Sequence, residues 1–292
     1  MTSTILVAGA TGMLGREVAS LLHRTGHRVR TFSRSAARAE ELRGIADEIV
    51  LGDATQPGSL DGVLDGVDGV VSCLGAPMAF TTGDRRSFRE LDTVANLNLV
   101  DAASRAGVRR FVYVSLLLGE AWSDTVYVRA HEEVVDALGA SGMAVGIVRP
   151  TGMFPIFDPF LPMARRGIAW IPGDGTARTN PVHPHEVAHA CVDVLDSAGG
   201  VDLQVGGPEI LTREDIVRLA FEAVGRRPRV VHLPPRALLA GATLLRPVHP
   251  RLGEVTDFAA RALTSDFLAP LGGTRRLAEH FAAVAQRSFQ RA

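Results

Sequence analysis

Ile5-Leu6-Val7-Ala8-Gly9-Ala10-Thr11-Gly12-Met13-Leu14-Gly15 is the stretch on which the reading of this chain turns. Ile5 to Ala8 is an unbroken apolar run, the pattern of a strand covered on both faces. From Met13 the period becomes helical: Val18, Leu21 and Leu22 share a face, and Gly26 follows as a C-terminal cap. Glycines between strand and helix allow a tight turn, close backbone approach to a pyrophosphate, and close packing of helix on strand. The opening of the helix then offers free N–H groups to an anion. A glycine triad alone is a weak signal; the strand before it and the helix after it make it specific. Gly9, Thr11, Gly12, Met13, Leu14 and Gly15 are therefore expected to cradle the phosphates of a dinucleotide.

The end of the second strand discriminates between dinucleotides. A carboxylate there would accept the ribose 2′-OH of NAD. The residues are instead Phe32-Ser33-Arg34-Ser35, with Arg38 one helical turn on. Guanidinium pairs well with a 2′-phosphate, so Ser33, Arg34 and Arg38 point to NADP(H). The plainer alternative is that Arg34 solvates the start of a helix. Asp53, followed by Ala54 after the third strand, either accepts from the adenine amino group or caps the next helix. Cys73-Leu74-Gly75 follows the fourth strand, Cys73 as a small buried residue near the adenosine and Gly75 leaving room for its ribose.

Outward from the glycine loop the two periods keep alternating. Strands are expected at Arg28–Ser33, Glu48–Leu51, Gly69–Cys73, Arg110–Ser115 and Ala144–Val148. Helices are expected near Ala36–Arg43, Ser59–Leu64, Phe88–Ala106 and Tyr127–Leu138. Such alternation predicts an α/β fold, a Rossmann-like doubly wound parallel sheet with helices on both faces. After Arg149-Pro150 the texture changes to a Pro- and Gly-rich stretch carrying Phe154, Phe157, Phe160 and Trp170, expected to shape a pocket and act as its lid. A helix over His185–Leu195, strands at Val201–Val205 and Val230–Leu233, and a helix opened by Thr212-Arg-Glu-Asp215 at capping-box spacing follow. The expected organisation is a dinucleotide-binding core over residues 1–150 and a smaller substrate lobe over 151–292, partly interleaved with the core.

Composition sets the outer bounds. The 292 residues are 46% hydrophobic and 22% charged, enough apolar content for a full core. Thirty-one basic against 32 acidic residues leave a net charge of −1, without a field to attract nucleic acid. All the basic side chains except histidine are arginine; the chain has no lysine. Two cysteines, Cys73 and Cys191, make no disulfide framework and fit a reducing cytoplasm. No apolar run is long enough to span a membrane, and the chain starts without a cationic leader. Nothing in the sequence reports oligomeric state.

These residues resemble a known family. The glycine motif, Gly52-Asp53, Cys73-Leu74-Gly75 and the run from Asn96 to Ser115 are similar to atypical short-chain dehydrogenases/reductases, within them the NmrA-like NAD(P)H-binding group. Gly142 to Gly152, Pro181 to Ala188 and Val205 to Pro208 extend the likeness over nearly the whole chain. The resemblance implies a hydride-transferring enzyme with nicotinamide near Pro150, Thr151 and Gly152. It also implies proton chemistry by a serine at the end of the fifth strand and by Tyr-x-x-x-Lys on the next helix. Ser115 matches the serine and Tyr127 the tyrosine, while His131 stands in the lysine's place. Spacing of four puts Tyr127 and His131 on one helical face. A phenol titrates near 10 and needs a neighbouring cation, which histidine supplies only in part at neutral pH. His131 is thus expected to modulate Tyr127.

The helix asparagine of the superfamily falls near Asp92, and its role is not carried over. Tyr113, in mid-strand, reads as core. His183, His185 and His189 lie close in sequence but lack an HExxH pattern or a third ligand, so no metal is expected. Leu238, Leu239, Leu244 and Leu245 could face a partner or a membrane surface; the segment is short and broken by Gly241, so ordinary packing is expected. The composite expectation is an NADPH-dependent reductase of a small or medium apolar carbonyl or enone. Its alternative is a non-catalytic NADP(H)-binding redox sensor or scaffold.

Overall fold

A computed structural model describes residues 3–76, 78, 85–197 and 199–289. The first strand, β1 (Thr4–Ala8), is buried from Ile5 onward, as its apolar run requires. It leads into α1 (Met13–Arg24), β2 (Arg28–Ser33), α2 (Ala36–Glu40) and β3 (Glu48–Leu51). Then follow β4 (Gly69–Ser72), α3 (Val94–Arg105), β5 (Arg110–Val114), α4 (Val126–Gly139) and β6 (Ala144–Pro150). Beyond residue 150 come α5 (Phe160–Arg166), β7 (Ala169–Pro172), β8 (Arg178–Thr179), α6 (Pro184–Asp196) and β9 (Val201–Val205). The chain ends with β10 (Leu211–Thr212), α7 (Arg213–Ala223), β11 (Val230–Leu233), α8 (Pro235–Leu245), α9 (Pro250–Leu263) and α10 (Leu277–Phe289).

Seven strands form one parallel sheet in the order β3-β2-β1-β4-β5-β6-β9. The strand order reverses between β1 and β4, which opens a crevice at their C-terminal ends. On one face, Leu14, Val18 and Leu22 of α1 and Val187, Cys191 and Val194 of α6 cover Ile5, Val7, Val71 and Val112. On the other, Leu99 and Ala103 of α3 and Val134 and Leu138 of α4 cover Leu6, Val70, Phe111 and Tyr113. This is the Rossmann-like doubly wound fold expected from the sequence. The seventh strand and α6 come from beyond residue 150, so the core sheet draws on both halves of the chain.

Four local readings are revised. The expected helix at Ser59–Leu64 is a short 3-10 turn, Pro57–Leu60, and the one at Ala36–Arg43 stops at Glu40. The helix expected from Phe88 opens with a π turn, Arg89–Thr93, before α3 begins. Phe154 and Phe157, expected in a pocket wall or lid, lie in the lobe's own core with Leu161, Ile171, Phe221 and Phe281. Of that aromatic group Trp170 is the exposed one, at 51%.

Candidate functional site

The glycine loop sits at the switch point. Gly9 has φ +81°, and a Cβ there would lie 2.6 Å from the Cys73 carbonyl oxygen, so only glycine fits between β1 and β4. A Cβ on Gly15 would lie 2.3 Å from the Gly9 carbonyl oxygen, which fixes how tightly α1 seats on the loop. Gly12 caps α1 with no side-chain hydrogen bond, and the first turn carries no acidic residue. The opening amides of α1 are therefore left for an external anion.

Beyond β2, the Ser33 hydroxyl donates to the Ser35 carbonyl, and the Ser35 hydroxyl accepts from the Arg38 N–H to cap α2. Arg34 and Arg38 are both exposed, and neither guanidinium meets a carboxylate among the described residues. Elsewhere arginines are commonly paired, as Arg16 is with Glu41 and Arg30 with Glu48. Asp53 closes a local turn, its Oδ1 accepting from the Thr55 N–H and hydroxyl, which uses one of its two oxygens. Ala54 is buried beside it, its carbonyl accepting from Asn98. Burial pushes the Cys73 thiol up to about 12, so it is chemically quiet.

The phenolic pocket lies under α4. The Thr125 side chain accepts from the Val128 N–H and starts that helix, placing Tyr127 in its first turn. The Tyr127 ring packs between Phe88 at 4.5 Å and Phe258 at 4.9 Å, with His131 edge-on at 4.8 Å. Burial raises the phenol above its ordinary value, and Asp92 adds to the effect; the Arg251 guanidinium opposes them. His131 does not supply the missing charge. Burial first, and then Arg149, hold its imidazole down to about 4, so it is neutral at physiological pH. Its Nδ1 lies 2.6 Å from the Tyr113 hydroxyl. The cation acting on Tyr127 is Arg251 of α9, set 4.0 Å over the Phe88 ring.

Asp92 completes the pocket from the π turn, the kind of helix irregularity that recurs at functional sites. Its Oδ1 accepts from the Ala76 N–H at 2.8 Å, while Oδ2 is buried without a partner among the described residues. Burial pushes its carboxyl up to about 7, aided by Glu254; the Ala76 amide and Arg251 act in the other direction. Glu254 itself accepts from the Phe88 N–H at 2.9 Å. Sequence reasoning had passed over Asp92 and missed Arg251 and Glu254, which lie on the far side of the chain from the Tyr127 motif.

Ser115 belongs to a neighbouring network. Its hydroxyl lies 3.3 Å from Arg149 and 3.4 Å from Glu132, and no hydrogen bond joins it to Tyr127 among the described residues. Arg149 is buried and also holds Glu132 at 2.7 Å and Asp202 at 2.9 Å, tying β6 to α4 and β9. Pro150 ends β6, and the Thr151 hydroxyl donates to the Asn180 carbonyl, holding the chain before Gly152 at the mouth of the sheet. A cleft of about 500 Å³ lies between the segment after β5 and the lobe, lined by Leu117, Leu118, Trp122, Ser265 and Leu268 among others. His183 caps α6, and His185 sits 3.1 Å from Glu17. Among the described residues no group of three or more metal-ligating side chains converges.

A helix start that offers its amides to an anion, at the switch point of a doubly wound sheet, is the arrangement of dinucleotide-binding proteins. Residues 9–198 match the NAD(P)H-binding family, and the chain belongs to it. It is 28% identical over 245 residues to ceramide reductase of Caulobacter vibrioides, covering 82% of this chain and 76% of that protein. It is 24% identical over 240 residues to photosystem II assembly factor Ycf39 of Guillardia theta, covering 81% and 75%. Its fold is similar to that of the NADPH-dependent quinone oxidoreductase QOR2 of Escherichia coli, solved with NADPH. There the TM-score is 0.74 at 21% identity, covering 96% of this chain and 99% of the other.

Proposed function

We propose that this protein is an NADPH-dependent reductase acting on a small or medium apolar carbonyl or enone. One observation carries the reading: the desolvated phenol of Tyr127, packed among Phe88, His131 and Phe258, feels the Arg251 cation and the Asp92 carboxyl, an acid near neutrality. The glycine cradle, in which a Cβ at Gly9 or Gly15 would collide with backbone, fits the pyrophosphate of a dinucleotide. Gly9 to Gly15 would hold that pyrophosphate, Arg34 and Arg38 the 2′-phosphate, and Pro150 to Gly152 would border the nicotinamide. Bound there, NADPH would supply the hydride for the carbonyl carbon.

Tyr127 then donates its hydroxyl proton to the substrate oxygen. Burial raises the phenol's pKa, so Tyr127 enters the reaction protonated, as a proton donor must. Arg251 would stabilise the phenolate left behind, and Asp92, its carboxyl pushed up to about 7, would return the proton. Ser115, through Arg149 and Glu132, positions the end of β5 rather than the phenol. The apolar part of the cleft beside Leu117, Leu118 and Trp122 supports an apolar substrate.

A second reading is a non-catalytic NADP(H)-binding sensor or scaffold, favoured by the neutral His131 in the lysine's place. The test is Tyr127→Phe, with NADPH binding followed by calorimetry and NADPH oxidation followed against a panel of carbonyls and enones. The expected result is unchanged binding with turnover lost. Unchanged turnover removes Tyr127 from the reaction; no turnover even by the native protein, with tight binding, favours the scaffold.

A further inference from the structure

The segment Gly225–Gly253 contains Arg226, Arg227, Arg229, Arg236, Arg246 and Arg251, together with His232 and His249, and no aspartate or glutamate. In a chain with one acidic residue for every basic one, that is a marked local excess. Arg226, Arg227, Arg229 and Arg236 are exposed and form no ion pair among the described residues. The same segment exposes apolar side chains. Helix α8 buries only Ala242, whereas α9 beneath it buries eight residues. The two helices approach closely: a Cβ on Gly253 would lie 2.9 Å from the Ala242 carbonyl oxygen.

What α8 turns outward is Leu244, 76% exposed, with Leu245 and, past its end, Val248 at 66%. These stand at i, i+1 and i+4 around one turn, so they form a patch rather than scattered residues. Just before α8, the exposed Val231 of β11 pairs with the exposed Trp170 of β7. The expectation of ordinary packing for the leucine stripe therefore fails at Leu244 and Leu245. Helix α8 runs unbroken through Gly241, against expectation, and is bounded by Pro235 and Pro247, while α9 already covers the core below it.

We propose that this segment seats on an anionic lipid surface, with α8 lying in the plane of the interface. Exposed apolar side chains and unpaired arginines, here within one segment, are the two signals that such binding needs, one entering the acyl boundary and the other holding headgroup phosphates. Guanidinium suits that second role because it binds phosphate in a bidentate manner. A second copy of the chain is a poorer occupant, because a two-fold contact would bring this basic face against itself. The docking does not depend on the catalytic reading.

The experiment is co-sedimentation of the full chain with vesicles of phosphatidylcholine alone or with phosphatidylglycerol, at low and high salt. Binding to the anionic vesicles is expected to exceed binding to neutral ones by about ten-fold or more and to weaken with salt. Leu244→Glu with Val248→Glu, and separately Arg226→Glu with Arg227→Glu, should each reduce it, with far-UV circular dichroism unchanged because all four side chains are exposed. Absence of binding by the native chain overturns the proposal. So does binding that survives both double variants, or light scattering that shows a dimer undone by the Leu244/Val248 pair.

Discussion

On the proposed reading Arg34 and Arg38 would select the coenzyme, because no carboxylate among the described residues neutralises either of them. A carboxylate at this place would repel a 2′-phosphate and accept a ribose hydroxyl instead. With neither guanidinium in an ion pair among the described residues, no such pair there has to break before they engage an anion. Replacing Arg34 and Arg38 together by serine should weaken NADPH binding about ten- to a hundred-fold, the scale of one or two charge-assisted hydrogen bonds. NADH binding should change little, and fluorescence titration of both coenzymes reads the difference. Equal loss for the two would show that the arginines act on the loop rather than on the phosphate. At the same scale, His131 shows how burial overrides sequence position: a residue in the place of a cation is held neutral.

The π turn Arg89–Thr93 is the element that makes the pocket unusual. It brings Asp92 to the Ala76 amide and leaves Oδ2 buried without a partner among the described residues. The carboxyl titrates near 3.8 when exposed and near 7 in the fold. Since the folded value is raised, the stability it contributes is full below about 4 and is lost as pH rises through about 7. Asp92→Asn keeps the acceptor for Ala76 and cannot ionise. Its unfolding free energy relative to the native protein should therefore rise by about 1.4 kcal/mol per pH unit between about 4 and 7. His131 shifts the opposite way, but it is common to both proteins and cancels in the difference. Denaturant unfolding across that window measures the slope, and a flat difference would mean that Asp92 is ionised throughout.

For the whole molecule, the sheet is completed late in the chain. β9 pairs with β6, Arg149 of β6 grips Asp202 of β9, and α6 covers the face that it shares with α1. A fragment ending at Pro150 would expose Val7, Val71, Val112 and Val148 where α6 now lies. Such a fragment should give no cooperative thermal transition by circular dichroism, whereas the full chain should give one. A cooperative, NADPH-binding fragment would show that the first six strands suffice. The lobe has its own core of Phe154, Phe157, Phe221 and Phe281, so these four aromatic residues build a second core rather than line a pocket.

The strand–helix alternation, the glycine loop and the arginines after β2 were legible because each is written in neighbouring residues: a period of two or 3.6, a turn, a strand end. The same holds for the caps at Thr212 and Gly26, which the structure reproduces. The pocket chemistry was not legible. Arg251 and Glu254 reach Phe88 and Tyr127 from more than a hundred residues away, and no local pattern encodes that meeting. Nor does sequence state how deeply a side chain is buried, and burial is what raises Asp92, silences His131 and Cys73, and leaves Leu244 bare. Proximity along the chain sets backbone geometry; desolvation and long-range contact, which exist only once the elements pack, set the charges.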